Sequence, residues 1–139
     1  MASIRKDIIV TATPDQAWEA LADYGAVHRR VAPGFVVECE TDGLDRVITF
    51  HNGAVARERL VTADAEHRRL VYTVVEGPLG ATHHSASVEV VGLTDGGSHL
   101  VWITDVLPDE LGPIVDGLMA QGAEAMTAAL SSVEVLEGR

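Results

Sequence analysis

The chain has 139 residues, a length that suits one domain, since either half alone would be too small to bury a useful core. Its 21 acidic residues outnumber the 10 basic ones, and the net charge of −11 argues against nucleic-acid partners and membrane insertion, because it repels phosphate backbones and anionic lipids. Cys39 is the one cysteine, so no internal disulfide or thiolate zinc cluster can form, and without a signal-peptide or membrane-spanning stretch we expect a cytoplasmic protein.

The first part of the chain predicts one strand and two short helices. Residues 4–11 are rich in β-branched side chains, which is typical of a strand. The run Thr13-Pro14-Asp15-Gln16 has the capping-box pattern, with threonine at the cap and glutamine three residues later, so a helix should begin at Pro14. A second short helix is expected over residues 24–31, ending before Pro33-Gly34.

From residue 35 to residue 107 the sequence predicts an antiparallel meander. Short β-forming runs alternate with turn residues, and Asn52-Gly53 is the strongest hairpin pattern among them. The predicted strands cover residues 35–40, 45–51, 54–62, 68–76, 82–92 and 99–107. Consecutive hairpins make neighbouring strands antiparallel.

The last predicted element is a long amphipathic helix. Asp109 would cap it, and apolar positions then recur at steps of three and four residues. The stripe consists of Leu111, Val115, Leu118, Gly122, Met126, Ala129, Val133 and Leu136. Glycine costs up to ~1 kcal/mol relative to alanine inside a helix, so Gly112, Gly117 and Gly122 favour close backbone packing or room left beneath the helix. A sheet wrapped around this helix would enclose more volume than the few aromatic side chains can fill, which predicts a cavity.

Short segments spread over nearly the whole chain match the pattern of a known superfamily. In the first half they are Ala12-Thr13-Pro14 with Trp18, His28-Arg29-Arg30 with Ala32-Pro33-Gly34-Phe35, and Ile48-Thr49-Phe50 with Asn52-Gly53. In the second half they are Ala56-Arg57-Glu58, Arg68-Arg69-Leu70 with Tyr72, Thr82-His83-His84 with Ala86-Ser87, and Trp102-Ile103-Thr104-Asp105 with Leu107-Pro108-Asp109-Glu110-Leu111. With these residues the chain resembles the SRPBCC superfamily, which includes START-like and birch-pollen-allergen-like proteins, and within it a bacterial polyketide cyclase/dehydrase-like branch.

The resemblance implies an α+β helix-grip fold in one domain over residues 1–139. In this fold a curved antiparallel sheet wraps around a long C-terminal helix, two short helices follow the first strand, and a pocket lies between sheet and helix. It does not imply one reaction, because the superfamily includes lipid carriers, hormone receptors and cyclases.

Strand alternation predicts which side chains face this pocket. If Asn52-Gly53 is a two-residue turn, His51 pairs with Ala54 and every second residue from there shares a face. The face taken as inward carries Val47, Thr49, His51, Ala54, Ala56, Glu58, Leu60, Leu70, Tyr72, Val74 and Glu76. The outward face then carries Arg46, Ile48, Phe50, Val55, Arg57, Arg59 and Thr73. The arginines suit solvent, but Ile48 and Phe50 do not, so a bulge or a homodimer contact would be needed there.

The final hairpin supplies a candidate acid–base pair. A turn near Asp95 aligns His84 with Val106 and Val88 with Trp102 on an inward face, and a slip of one residue would set His84 opposite Asp105. A neutral imidazole can take or give a proton near neutral pH, and a carboxylate can fix its tautomer. We therefore consider His84 and Asp105 as catalytic candidates, with Glu58 as a further one because a carboxylate in an apolar cavity has a raised pKa.

The remaining candidates are ligand contacts. They are Tyr72, Glu76, His83, Trp102, His51, Val74, Leu118, Gly122 and Met126. No metal site is expected, because the adjacent His83 and His84 point to opposite faces of a strand, and no cofactor motif is present.

Three functions follow as hypotheses. The first is binding of a small lipophilic or aromatic molecule. The second is a cofactor-free cyclase or dehydratase, in which a histidine or glutamate removes a proton beside a carbonyl group while Tyr72 or another donor stabilises the enolate. The third is a non-catalytic interaction or stress protein that forms a homodimer through Ile48 and Phe50.

Overall fold

The computed structural model describes residues 1–131. Its elements in chain order are β1 (Ala2–Val10), α1 (Pro14–Ala22), α2 (Val27–Arg30), β2 (Val36–Asp42), β3 (Asp45–Phe50), β4 (Val55–Asp64), β5 (Arg69–Glu76), β6 (His83–Gly92), β7 (Ser98–Leu107) and α3 (Gly112–Leu130). Single turns of 3-10 helix, Tyr24–Ala26 and Asp109–Leu111, lead into α2 and α3. Val133 and Leu136 of the predicted helical stripe lie outside the described residues.

Within residues 1–131, seven antiparallel strands form one sheet in the order β1-β7-β6-β5-β4-β3-β2. α3 lies along the inner face of this sheet, and its C-terminal end is attached to the β1–α1 connection, where the amide of Ala12 donates to the carbonyl of Leu130 at 2.9 Å. The predicted α+β helix-grip fold is confirmed.

The start of α1 follows directly from its sequence. The Thr13 hydroxyl accepts from the amide of Gln16 at 3.2 Å, and the Gln16 side chain accepts from the amide of Thr13 at 2.9 Å. This capping box satisfies two amides that have no partner within the helix.

The β3–β4 turn differs from the prediction by one residue. The amide of Gly53 donates to the Phe50 carbonyl at 2.9 Å, and the amide of Phe50 donates to the Ala54 carbonyl at 2.8 Å. Residues 51–53 therefore form a three-residue loop, with Gly53 in the left-handed region at a φ of +88°. The predicted pairing of His51 with Ala54 and of Thr49 with Ala56 is wrong, since Ile48 pairs with Ala56.

This extra loop residue reverses the faces of β3. Ile48 is buried, and Arg46, Ile48 and Phe50 lie on the inner face, whereas Val47 and Thr49 do not. The outward placement of Arg46, Ile48 and Phe50 was therefore wrong. The reason for expecting a homodimer contact at Ile48 and Phe50 disappears with it.

The predicted register of the last hairpin is confirmed, since His84 pairs with Val106 and Val88 pairs with Trp102. No helix within residues 1–131 has both the length and the apolar character needed to cross a membrane.

Candidate functional site

A cavity of about 400 Å³ lies between the inner face of the sheet and α3. Its wall is mostly apolar and includes the predicted contacts Val74, Trp102, Leu118, Gly122 and Met126. Side chains from α1, from α2 and from the residue that follows α2 complete the wall, namely Leu21, Val27 and Val31. The end of β5 and the β5–β6 connection also line the cavity with residues 75–81, most of which are exposed, so the cavity opens to solvent there.

Gly122 allows α3 to approach the sheet closely. A Cβ atom at this position would lie 2.9 Å from Cη2 of Trp102, closer than real Cβ atoms approach, and a tight 3.3 Å from the ring of Phe35. A Cβ atom at Gly117 would meet no atom within 4 Å. The predicted role of close packing therefore applies to Gly122 and not to Gly117.

A buried ion pair between Arg46 on β3 and Glu58 on β4 forms part of the cavity wall. The guanidinium Nε and Nη2 atoms both lie 2.8 Å from Oε1 of Glu58. The two residues are 5% and 7% exposed, respectively. Because its carboxylate is bound to Arg46, Glu58 is not the unpaired carboxylate expected from the sequence.

Tyr24 completes this network. The guanidinium carbon of Arg46 lies 3.8 Å from the centre of the Tyr24 ring, and Nη1 donates to the Tyr24 carbonyl at 3.1 Å. The Tyr24 hydroxyl donates to the Glu58 backbone carbonyl at 3.1 Å. Arg46 and Tyr24 were missed by the sequence analysis, because their role depends on the reversed face of β3.

Tyr72 places a hydroxyl group in the cavity wall. This hydroxyl accepts a hydrogen bond from the indole Nε1 of Trp102 at 3.2 Å. Burial raises the pKa of Tyr72 well above its usual value, so the phenol stays protonated. Among residues 1–131 the hydroxyl proton has no acceptor, which leaves it available to a ligand.

His84 also lines the cavity, and its tautomer follows from one hydrogen bond. Its Nδ1 atom accepts from the amide of Val74 at 3.0 Å, so the neutral ring carries its proton on Nε2. Burial lowers the pKa of His84, which favours this neutral form. The ring centres of His84 and Tyr72 are 6.1 Å apart.

The structure does not bring the candidate acid–base pair His84 and Asp105 together, because the one-residue slip that would set them opposite each other does not occur. Asp105 pairs with Ser85 across the β6–β7 ladder, so its side chain lies on the outer face, where it accepts a hydrogen bond from the Ser3 hydroxyl. His83 is exposed and precedes His84 on the same strand, so it too points away from the cavity. The backbone amide of Val74 takes the place of the expected carboxylate.

The two remaining predicted contacts lie at the edge of the site. Glu76 is exposed and lines the cavity at its opening. His51 lies outside the cavity in a shallow surface depression, where its Nε2 is 3.0 Å from Oε1 of Gln121 and its ring centre is 6.0 Å from that of Phe35. The three-residue loop moves His51 off the inner face.

Sequence comparison matches residues 1–134 to a family model described as "Polyketide cyclase / dehydrase and lipid transport". No curated protein is similar enough in sequence to count as a relative.

Several solved structures share the fold. The protein XoxI from Bacillus cereus is 19% identical with a TM-score of 0.82, covering 94% of this chain and 96% of its own. A protein from Thermobifida fusca is 31% identical with a TM-score of 0.75, covering 91% of each chain. Norcoclaurine synthase from Thalictrum flavum, in complex with dopamine and hydroxybenzaldehyde, is 22% identical with a TM-score of 0.66, covering 90% of this chain and 83% of its own.

Proposed function

The chain belongs to the polyketide cyclase / dehydrase and lipid transport family, and from this premise we propose that it binds a small lipophilic or aromatic molecule in the cavity between the sheet and α3. The observation that carries the proposal is the cavity itself. Its volume of about 400 Å³ falls in the range of about 300–1,000 Å³ that is usual for small-molecule sites.

The distribution of polar groups indicates how the ligand is oriented. α3 contributes apolar side chains to the wall, such as Val115, Met119 and Met126. The polar groups come instead from the sheet, where Tyr72 and His84 occupy neighbouring strands. A ligand whose apolar part packs against α3 and whose one polar group points toward β5 and β6 complements both walls of the cavity.

A cofactor-free cyclase or dehydratase is the second candidate. It is favoured by the two donor groups, Tyr72 and His84, that face one cavity. Within residues 1–131, however, the expected bases are otherwise engaged: Glu58 is bound to Arg46, Nδ1 of His84 accepts from a backbone amide, and Asp105 lies on the outer face. We therefore favour ligand binding over catalysis as the function of this cavity.

A cavity-filling substitution tests binding against a matched control. Ala56 lines the cavity and Ala63 is exposed on the same strand, so Ala56→Phe fills the site while Ala63→Phe adds the same ring outside it. The probe is N-phenyl-1-naphthylamine, a neutral fluorophore that the negative chain does not repel. We expect wild type and Ala63→Phe to bind it alike and Ala56→Phe to bind at least ten-fold more weakly. Equal binding by all three folded proteins contradicts the proposal.

A further inference from the structure

We propose that Tyr72 and His84 donate hydrogen bonds to one and the same oxygen atom of the cavity ligand and favour the anionic form of that oxygen. The ligand is then a phenol or an enolisable carbonyl compound. This inference rests on the proposed function, since it requires a ligand in the cavity.

The first support is the position of the two side chains. Tyr72 on β5 pairs with Ala86 on β6, and His84 lies two residues from Ala86 along the same strand. The two side chains are therefore diagonal neighbours on the inner face, with ring centres 6.1 Å apart. From this spacing we infer that the Tyr72 hydroxyl and Nε2 of His84 converge on one ligand oxygen.

The second support is that each group keeps a proton that it can donate to a ligand. The Tyr72 hydroxyl already accepts from the Trp102 indole, which directs its own proton away from Trp102 and strengthens it as a donor. The Nδ1 lone pair of His84 is taken by the Val74 amide, which leaves the Nε2 proton. Burial keeps the tyrosine protonated and the histidine neutral, so both donors persist at neutral pH.

The charged side chains on the cavity wall do not stabilise a ligand oxyanion in place of Tyr72 and His84. Among the described residues, the charged groups lining the cavity are Arg46, Glu58 and Glu76. Arg46 and Glu58 neutralise each other at 2.8 Å, and Glu76 is exposed to solvent at the opening. An oxyanion inside the cavity therefore depends on fixed donors, which stabilise developing charge because they need no reorganisation.

The test uses 4-nitrophenol, whose phenolate absorbs visible light while the phenol does not. Displacement of N-phenyl-1-naphthylamine shows that it occupies the cavity, and the absorbance of the bound probe against pH gives its bound pKa. The variants are Tyr72→Phe and His84→Ala, which remove one donor each. Tyr24→Phe is the matched control, since it removes a part-buried tyrosine hydroxyl that does not line the cavity.

We expect the bound pKa to be about one unit lower in wild type than in either donor variant, a ten-fold change in the phenolate ratio, because hydrogen bonds to a charged oxygen are about twice as strong as those to a neutral one. Tyr24→Phe should match wild type. The same bound pKa in wild type and both donor variants overturns the inference and leaves cavity binding intact. Failure of 4-nitrophenol to displace the naphthylamine also overturns it, whereas failure of the naphthylamine itself to bind in the cavity overturns the proposed function.

Discussion

The indole of Trp102 on β7 reaches across β6 to donate a hydrogen bond to the hydroxyl of Tyr72 on β5. Ala86 on the intervening strand is buried and pairs with Tyr72, and its small side chain leaves room for the contact. The bond links β7 to β5 across the inner face of β6, beneath α3, and sets the direction in which the Tyr72 hydroxyl can donate.

The stability of this contact can be measured by a double-mutant cycle in urea. Trp102→Phe should lower the free energy of unfolding by about 2 kcal/mol, because it removes both the hydrogen bond and buried volume. Tyr72→Phe should cost about 1–2 kcal/mol, since the indole N–H then has no partner. The double variant should cost less than the sum of the two, because each single change already breaks the same bond. Strictly additive losses would show that the two side chains are not coupled.

The helix glycines predict opposite effects of the same substitution. Gly117→Ala should raise the free energy of unfolding by up to ~1 kcal/mol, because alanine is the better helix former and the added Cβ meets nothing within 4 Å. Gly122→Ala should lower it by about 1–3 kcal/mol, since its Cβ would press on Trp102. Thermal and urea unfolding of both variants provide the measurement. A stabilising Gly122→Ala would mean that α3 lies farther from the sheet.

The buried ion pair should be sensitive to the loss of one partner. Glu58→Gln leaves the Arg46 charge buried without its carboxylate, which we expect to cost about 3 kcal/mol or more of unfolding free energy. Arg5→Gln serves as a control, because it breaks an exposed pair with Asp7 and should scarcely change the urea midpoint. Similar midpoint shifts in the two variants would show that Arg46 and Glu58 are solvated.

The ion pair also shows where sequence reasoning was sufficient and where it was not. The order of strands and helices could be predicted because alternation, helical periodicity and caps are local properties of the chain. The faces of β3 could not, because they depend on whether the loop contains two residues or three, and Asn52-Gly53 suits both. The third loop residue determines whether the Arg46 side chain faces solvent or pairs with Glu58.

The candidate pair of His84 and Asp105 illustrates a different error. The alignment of His84 with Val106 was predicted correctly, and it already places Asp105 on the opposite face. The His84–Asp105 pair requires a one-residue slip of this register, which does not occur. The actual hydrogen-bond partner of the His84 side chain is the backbone amide of Val74. A backbone contact of this kind cannot be predicted from the pattern of residue types.

His84 also predicts a pH dependence of stability. Because burial lowers its pKa in the folded state, the unfolded chain binds a proton first as the pH falls. The stability associated with neutral His84 is therefore present above the ordinary histidine value of about 6.5 and is lost as the pH falls through the folded-state value. NMR should show the His84 ring titrating below about 6.5, with the Val74 amide shifting at the same midpoint because the two are hydrogen-bonded. A His84 midpoint above the ordinary value would contradict the burial of a neutral ring at this position.

The central claim, that a ligand occupies the space between the sheet and α3, is tested most directly by intermolecular nuclear Overhauser effects from bound N-phenyl-1-naphthylamine. We expect contacts with methyl groups on the cavity wall, those of Val88, Val115 and Met126. Contacts confined to exposed methyl groups away from the cavity, those of Ile9, Val61 and Val91, would contradict it.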